Sequence, residues 1–135
     1  MKNFLIKIGK KSKKAFSCEL NTNKKNKVLK DFLSLIKKNK KMILKENKKD
    51  IEKAHQAKLK DNLINRLVLN DKKILEIMKS VQNIIKLKDP TNIILEKWKR
   101  SNGLNITKVS IPIGVIGVIY ESRPNVTSDV ASLCF

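Results

Sequence analysis

Enzymatic chemistry needs a nucleophile, an acid or base, a metal-ligand cluster or a set of aimed hydrogen-bond donors, and this sequence is sparing with all but the last. His55 is its only histidine, and its two cysteines, Cys18 and Cys134, stand near opposite ends. With no Cys-x-x-Cys pair and no Cys/His ligand spacing, no metal site is expected. His55 sits beside the apolar stripe of a predicted helix without a partner pattern, which reads as a surface or boundary residue rather than a base. Cys18 and Cys134 read as packing residues, Cys134 on the apolar face of a final helix where a buried, inert thiol is the default. The polar stretch Glu121-Ser122-Arg123-Pro124-Asn125, directly after the apolar run Val115 to Tyr120, reads as a loop at the end of a strand. Arg123 carries a fork of donors suited to phosphate or carboxylate. Asn125, read alone, is a turn or helix-capping residue.

The elements that must position this cluster divide at Asp89-Pro90. Before that point apolar residues recur at helical spacing; after it they alternate or run continuously, as in strands. A first helix over residues 1–16 would pack Phe4, Ile8, Ala15 and Phe16 inward while its lysines stay in water. The same basic, amphipathic stretch also suits a membrane-surface or targeting segment, without a signal peptide's apolar region or cleavage site. A second helix is predicted from about Lys24 to Lys38, with an N-cap among Asn21-Thr22-Asn23, and a third from about Lys40 to Gln56, with Ile43, Asn47, Ile51 and Ala54 on one stripe. A short helical turn surrounds Leu63 and Leu67. The most regular helix follows Asn70, with Ile74, Ile77, Met78, Val81, Ile84 and Ile85 on its inner face, and Asp89-Pro90 stops it.

Beyond the stop, Ile93 to Lys99 and Leu104 to Ile111 flank Arg100-Ser101-Asn102-Gly103, where Asn-Gly predicts a tight hairpin turn. A change of phase to Val109 and Ile111 hints at a bulge or a crossing between sheets. Val115 to Tyr120 is apolar on both faces, as in a central strand covered by helices. The loop Glu121–Asn125 follows, and Thr127 or Ser128 would cap a helix starting near Asp129. The predicted fold class is α/β: an N-terminal helical region (1–89), a β-hairpin (90–111), and residues 112–135 as the first strand and opening of an incomplete Rossmann-like cofactor domain.

Composition narrows the function classes. The 135 residues carry a formal charge of +19, but 28 of the 31 basic residues are Lys; with 14 Asn and 17 Ile, three residue types fill 59 positions. These are residues of AT-rich codons, so drift alone makes every exposed face basic. Nucleic-acid readers cluster basic residues and add Arg or stacking aromatics, whereas here Lys is spread from Lys2 to Lys108 with 3 Arg, 1 Trp and 1 Tyr. The longest apolar stretch, Ile111 to Tyr120, is far short of the roughly 18 residues that mark a bilayer-spanning helix.

The run from Ile111-Pro112-Ile113-Gly114-Val115 through Tyr120-Glu121-Ser122-Arg123-Pro124-Asn125-Val126-Thr127-Ser128-Asp129 to Cys134 resembles gamma-glutamyl phosphate reductase, of the aldehyde dehydrogenase superfamily. Weaker echoes run upstream in matching order: Lys25-Asn26-Lys27-Val28-Leu29, Asn47-Lys48-Lys49-Asp50, Asn65-Arg66-Leu67 with Leu69, and Asn102-Gly103-Leu104. The likeness covers nearly the whole chain but about the first third of such an enzyme. Val109-Ser110, where the family tends to carry basic residues, and Phe135, at a usual Leu position, depart from the pattern.

The resemblance implies NADPH-dependent reduction of L-glutamyl 5-phosphate to glutamate 5-semialdehyde and phosphate, a step of proline synthesis, through a cysteine thioester. It assigns Asn125 as a catalytic oxyanion donor and places Glu121, Ser122, Arg123 and Pro124 beside the cofactor, with Arg123 alternatively on the substrate's phosphate or carboxylate. It places the reactive cysteine beyond Phe135, so the chain alone is expected to be inactive. It also implies a cytoplasmic enzyme, a homo-oligomer at full length, with a small-molecule substrate, no membrane and no specific nucleic acid. The competing expectations are a basic helical nucleic-acid-binding module and a gene remnant without activity.

Overall fold

A computed structural model describes residues 2–18, 20–121 and 123–135. The chain divides into two compact units, one of residues 1–19 and 88–117, the other of residues 20–87 and 118–135.

The second unit holds the core. Helix α2 runs without a break from Thr22 to Gln56, 35 residues and so about 52 Å long at 1.5 Å per residue. Two helices were expected here. No Pro or Gly interrupts Lys38-Asn39-Lys40, and the side chain of Asn39 donates back to the Leu35 carbonyl (2.9 Å) instead of opening the helix. Asn21 is the N-cap, its side chain accepting from Lys24 N–H at 2.9 Å. Helix α3 spans Asp61–Leu67 and α4 spans Asp71–Lys86. Asn70 caps α4 as predicted, accepting from Lys73 N–H at 2.9 Å. Asn70→Ala is expected to lower stability by about 1 kcal/mol, read as a drop in urea midpoint at constant m-value.

Ile36 of α2 and Ile74 and Ile77 of α4 form the core cluster, with Phe32, Ile43, Leu44, Leu69 and Met78 packed around it. Val81 is fully buried. The inner stripe predicted for α4 therefore stands at Ile74, Ile77 and Val81, and Leu29, Asn47 and Ala54 are buried along α2. Asn47 is the polar exception: its Nδ2 donates to the Leu67 carbonyl (2.9 Å) and its Oδ1 accepts from Leu69 N–H (2.7 Å). One buried amide thus stitches the α3–α4 connection onto α2 and satisfies both main-chain groups. Lys73 Nζ caps the same corner by donating to the Val68 carbonyl. Lys40 reaches from α2 to Asp71 in the first turn of α4, and its hydrogen bond and charge hold the Asp71 carboxyl below its usual pKa.

The first unit contains α1 (Lys2–Phe16) and a two-stranded antiparallel hairpin, β1 (Ile94–Lys99) with β2 (Asn105–Val109). The inward packing expected of Phe4, Ile8, Ala15 and Phe16 is not found. All four are exposed, because no described element covers that face of α1. The hairpin forms where predicted, but its loop is three residues long. Gly103 N–H donates to the Arg100 carbonyl and Arg100 N–H to the Leu104 carbonyl, and Gly103 takes a φ of +88°. Such a loop needs a positive φ only at the glycine, so Asn102 uses its side chain instead, accepting from Leu104 N–H.

The bulge also exists, on the other arm: Ile94 faces Val109 and Glu96 faces Lys108, leaving Leu95 without an opposite residue. At the base of the hairpin Ser110 Oγ donates to the Pro90 carbonyl (2.6 Å) and accepts from Ile93 N–H (2.9 Å). Residues 110–121 then run without helix or ladder pairing. The strand expected over Val115–Tyr120 is not formed. A strand is stabilised by neighbours, and none lies beside it here; Val115, Ile116, Val118 and Ile119 are all exposed. The helical region and hairpin are thus observed, and the first strand of a Rossmann-like sheet is not.

Candidate active-site edge

Helix α5 spans Pro124–Leu133 and packs on α4. It begins five residues before the predicted start. Pro124 stands at the first helical position, where its fixed φ suits a helix and its missing N–H costs nothing. Arg123, held extended before a proline, is the N-cap residue. Thr127, expected to cap the helix, instead has its Oγ1 2.7 Å from the Tyr120 hydroxyl, tying the last apolar residue of the run to the first turns of α5.

Asn125 accordingly lies inside the first turn of a helix rather than in a loop. Its side chain is exposed, and its Nδ2 donates to Asp129 Oδ2 one turn on, at 3.2 Å. Asp129 is half-buried, and its Oδ1 accepts a long hydrogen bond (3.5 Å) from Ser80 Oγ of α4. The first turn of α5 holds no acidic residue, so the positive end of the helix dipole is not neutralised there. Asn125 is thus an exposed amide near a helix N-terminus whose NH₂ group is bonded to a carboxylate one turn on.

Of the other predicted site residues, Glu121 and Arg123 are exposed and Pro124 is half-buried; Ser122 lies outside the described residues. They form an open edge, not a cradle. Among the described residues, open depressions lie on α1 around Ile6, Lys10 and Lys14 and over the hairpin around Trp98 and Ile106, and Glu121, Arg123, Pro124 and Asn125 line neither. The residues present do not by themselves enclose a dinucleotide. Among the described residues, no group of three or more His, Cys, Asp and Glu side chains could share a metal ion, and no helix is long and apolar enough to cross a membrane.

The inner face of α5 also differs from expectation. Ala131, Leu133 and Cys134 are exposed and Val130 is half-buried, while Ser128 and Ser132 are the buried residues. A four-residue spacing places both serines on one helix face, and their small side chains suit the close approach of α4. Cys134 is thus not a core thiol; it is the exposed C-cap residue, its N–H donating to the Val130 carbonyl. Cys18 is exposed as well. Asp129 and Ser80 were missed as site residues. The available signal was the Asn125/Asp129 interval of four, visible only once Pro124 is recognised as the start of the helix.

No family model matches the chain. Individual proteins do. A curated gamma-glutamyl phosphate reductase of Nautilia profundicola is 45% identical over all 135 residues, and one of Nitratiruptor is 52% identical over 112 residues. The crystal structure of the Thermotoga maritima reductase superposes on 96% of the chain with a TM-score of 0.88 at 41% identity. The chain is homologous to gamma-glutamyl phosphate reductases. The yeast reductase from Saccharomyces cerevisiae, at 28% identity, still superposes on 94% of the chain with a TM-score of 0.87. The likeness read from Ile111 to Cys134 and its upstream echoes therefore holds along the chain. It stops at a fraction of the relatives: the chain spans 32% of the Nautilia reductase and 32% of the Thermotoga structure, about a third of their length.

Proposed function

We propose that the chain supplies the helical, hairpin and first cofactor-domain portions (1–89, 90–111 and 112–135) of an NADPH-dependent reductase that converts L-glutamyl 5-phosphate to glutamate 5-semialdehyde and phosphate in proline synthesis. The observation that carries this reading is the homology to reductases of that name, extending through the stretch that ends in Asn125. In the complete enzyme, Val115–Tyr120 pairs as a strand of a Rossmann-like sheet, which accounts for a chain that leaves six successive apolar or glycine residues without helix or ladder partners.

The chemistry then runs on a cysteine supplied by the part of the relatives this chain does not span. Its thiolate attacks the acyl carbon and phosphate leaves; when bound, NADPH supplies the hydride that reduces the resulting thioester. Each attack drives negative charge onto the former carbonyl oxygen. Asn125 Nδ2 donates to that oxygen, and the unneutralised N-terminus of α5 adds its dipole. Arg123 is placed to pair with cofactor or substrate phosphate. Glu121, Ser122 and Pro124 shape the same edge beside the cofactor. The enzyme is cytoplasmic, homo-oligomeric at full length, and independent of membrane and nucleic acid.

Residues 1–135 alone hold no reactive thiol in this scheme. Supplied with glutamate 5-semialdehyde, phosphate and NADP⁺, they are expected to produce no NADPH absorbance. A chimaera joining residues 1–135 to the uncovered portion of the Thermotoga maritima reductase is expected to turn over. Turnover by residues 1–135 alone, or none by a folded chimaera, would overturn the proposal.

A further inference from the structure

Asp129 is on no predicted list of site residues, yet it touches the one amide to which the oxyanion is assigned. We propose that Asp129 is a positioning residue that selects which end of the Asn125 amide faces the reaction, itself steadied by Ser80 of α4; this rests on the reading of Asn125 given above.

An asparagine amide has a donor end and an acceptor end of nearly equal shape. Only the NH₂ end can stabilise an oxyanion; a flipped amide would present Oδ1 and repel it. A carboxylate is acceptor-only when ionised, so Asp129 Oδ2, at 3.2 Å, tolerates the NH₂ end of Asn125 and disfavours the oxygen. Nδ2 carries two hydrogens. One engages Asp129, which leaves the second to donate to the developing oxyanion. Asp129 is in turn restrained: it is half-buried, its backbone lies in the middle of α5, and its Oδ1 receives the Ser80 hydroxyl from α4 at 3.5 Å. Helix α5 packs on α4 and the Ser80 bond joins them at Asp129, so the orientation of an exposed amide is referred back to the helix that carries Ile74, Ile77 and Val81. Asn125 thereby gains an orientation that solvent exposure alone would not provide, in keeping with the need to hold reacting groups within fractions of an ångström.

Two measurements separate this role from a structural one. In residues 1–135, one of the two Asn125 side-chain amide protons should be shifted from its free-asparagine NMR position by its carboxylate partner. Asp129→Ala should return that proton to its free-asparagine value, and Asp129→Asn, whose amide can present either end, should do so in part. In the chimaera, Asp129→Ala should lower kcat about 10- to 100-fold with KM for the semialdehyde nearly unchanged, and Asp129→Asn, whose amide can pair with either end of Asn125, should restore only part of the rate. In an Asn125→Ala background the same Asp129→Ala change should have almost no further effect. An equal loss in both backgrounds would show that Asp129 acts otherwise, and signals unaffected by Asp129→Ala would show that it does not orient the amide. If Asn125→Ala itself leaves kcat intact while the NMR result holds, the orienting contact survives and the catalytic reading of Asn125 is what fails.

Discussion

Asn125→Ala in the chimaera is expected to lower kcat by about 10²- to 10³-fold, or about 3 to 4 kcal/mol of transition-state stabilisation, with little change in KM. The split follows from when the interaction forms. The ground-state carbonyl needs little from the amide, whereas the tetrahedral oxyanion draws on a charge-assisted hydrogen bond in a site closed to water. Asn125→Asp should be at least as damaging, since a near-isosteric carboxylate places negative charge where negative charge develops. Neither change should disturb folding much, because the side chain is exposed and its bond to Asp129 lies on the surface of α5. A large loss of kcat with an unchanged unfolding midpoint separates chemistry from structure; a parallel fall in both would point to a capping role for Asn125.

The largest effect on stability is expected at Asn47. Asn47→Ala removes both hydrogen bonds that tie the α3–α4 connection to α2 and leaves the Leu67 carbonyl and Leu69 N–H without a partner beside the core. Abandoning buried polar groups costs more than the mean value of a hydrogen bond, so a loss of about 2 to 4 kcal/mol is expected, seen as a lower urea midpoint. Asn47→Asp is the informative control. It keeps the acceptor for Leu69 N–H but sets a carboxylate oxygen against the Leu67 carbonyl, which raises the carboxyl pKa in the folded state above its unfolded value. For an acid shifted upward, folding is favoured by protonation, so this variant should regain stability as pH falls through the raised pKa, when the carboxyl can donate to Leu67. Recovery on acidification identifies the lost donor as the cause. Equal instability of both variants at all pH values would indicate that packing volume, not the paired amide, holds the corner.

Several elements were legible in the residues and others were not, for physical reasons. The α4 stripe and its Asn70 cap follow from local spacing and a local hydrogen bond, and both are observed. The hairpin follows from alternation around a glycine, although the side chain of Asn102, not its φ, completes the turn. The break expected between Lys38 and Lys40 is absent: a polar Lys-Asn-Lys run resembles a linker, whereas Asn39 bonds within a continuous helix. The α5 start was missed by weighing Thr127 and Ser128 as caps above Pro124 at the first helical position. The exposed faces of α1, of Val115–Tyr120 and of Leu133 could not be told from core by composition, since burial depends on what lies opposite. Asn125 was recognisable through the resemblance; Asp129 and Ser80 needed coordinates, because α4 and α5 meet across 49 residues of sequence at that pair.

The central claim is that residues 111–134 form one wall of an acyl-phosphate-reducing cleft, and the crystal structure of the chimaera tests it most directly. The account predicts Val115–Tyr120 paired as a strand within a sheet, and Asn125 Nδ2 about 3 Å from the position of the substrate's reacting oxygen, with its other hydrogen still on Asp129. A well-ordered chimaera with that segment unpaired, or with Asn125 turned away from the cleft that holds the reactive thiol, would contradict it.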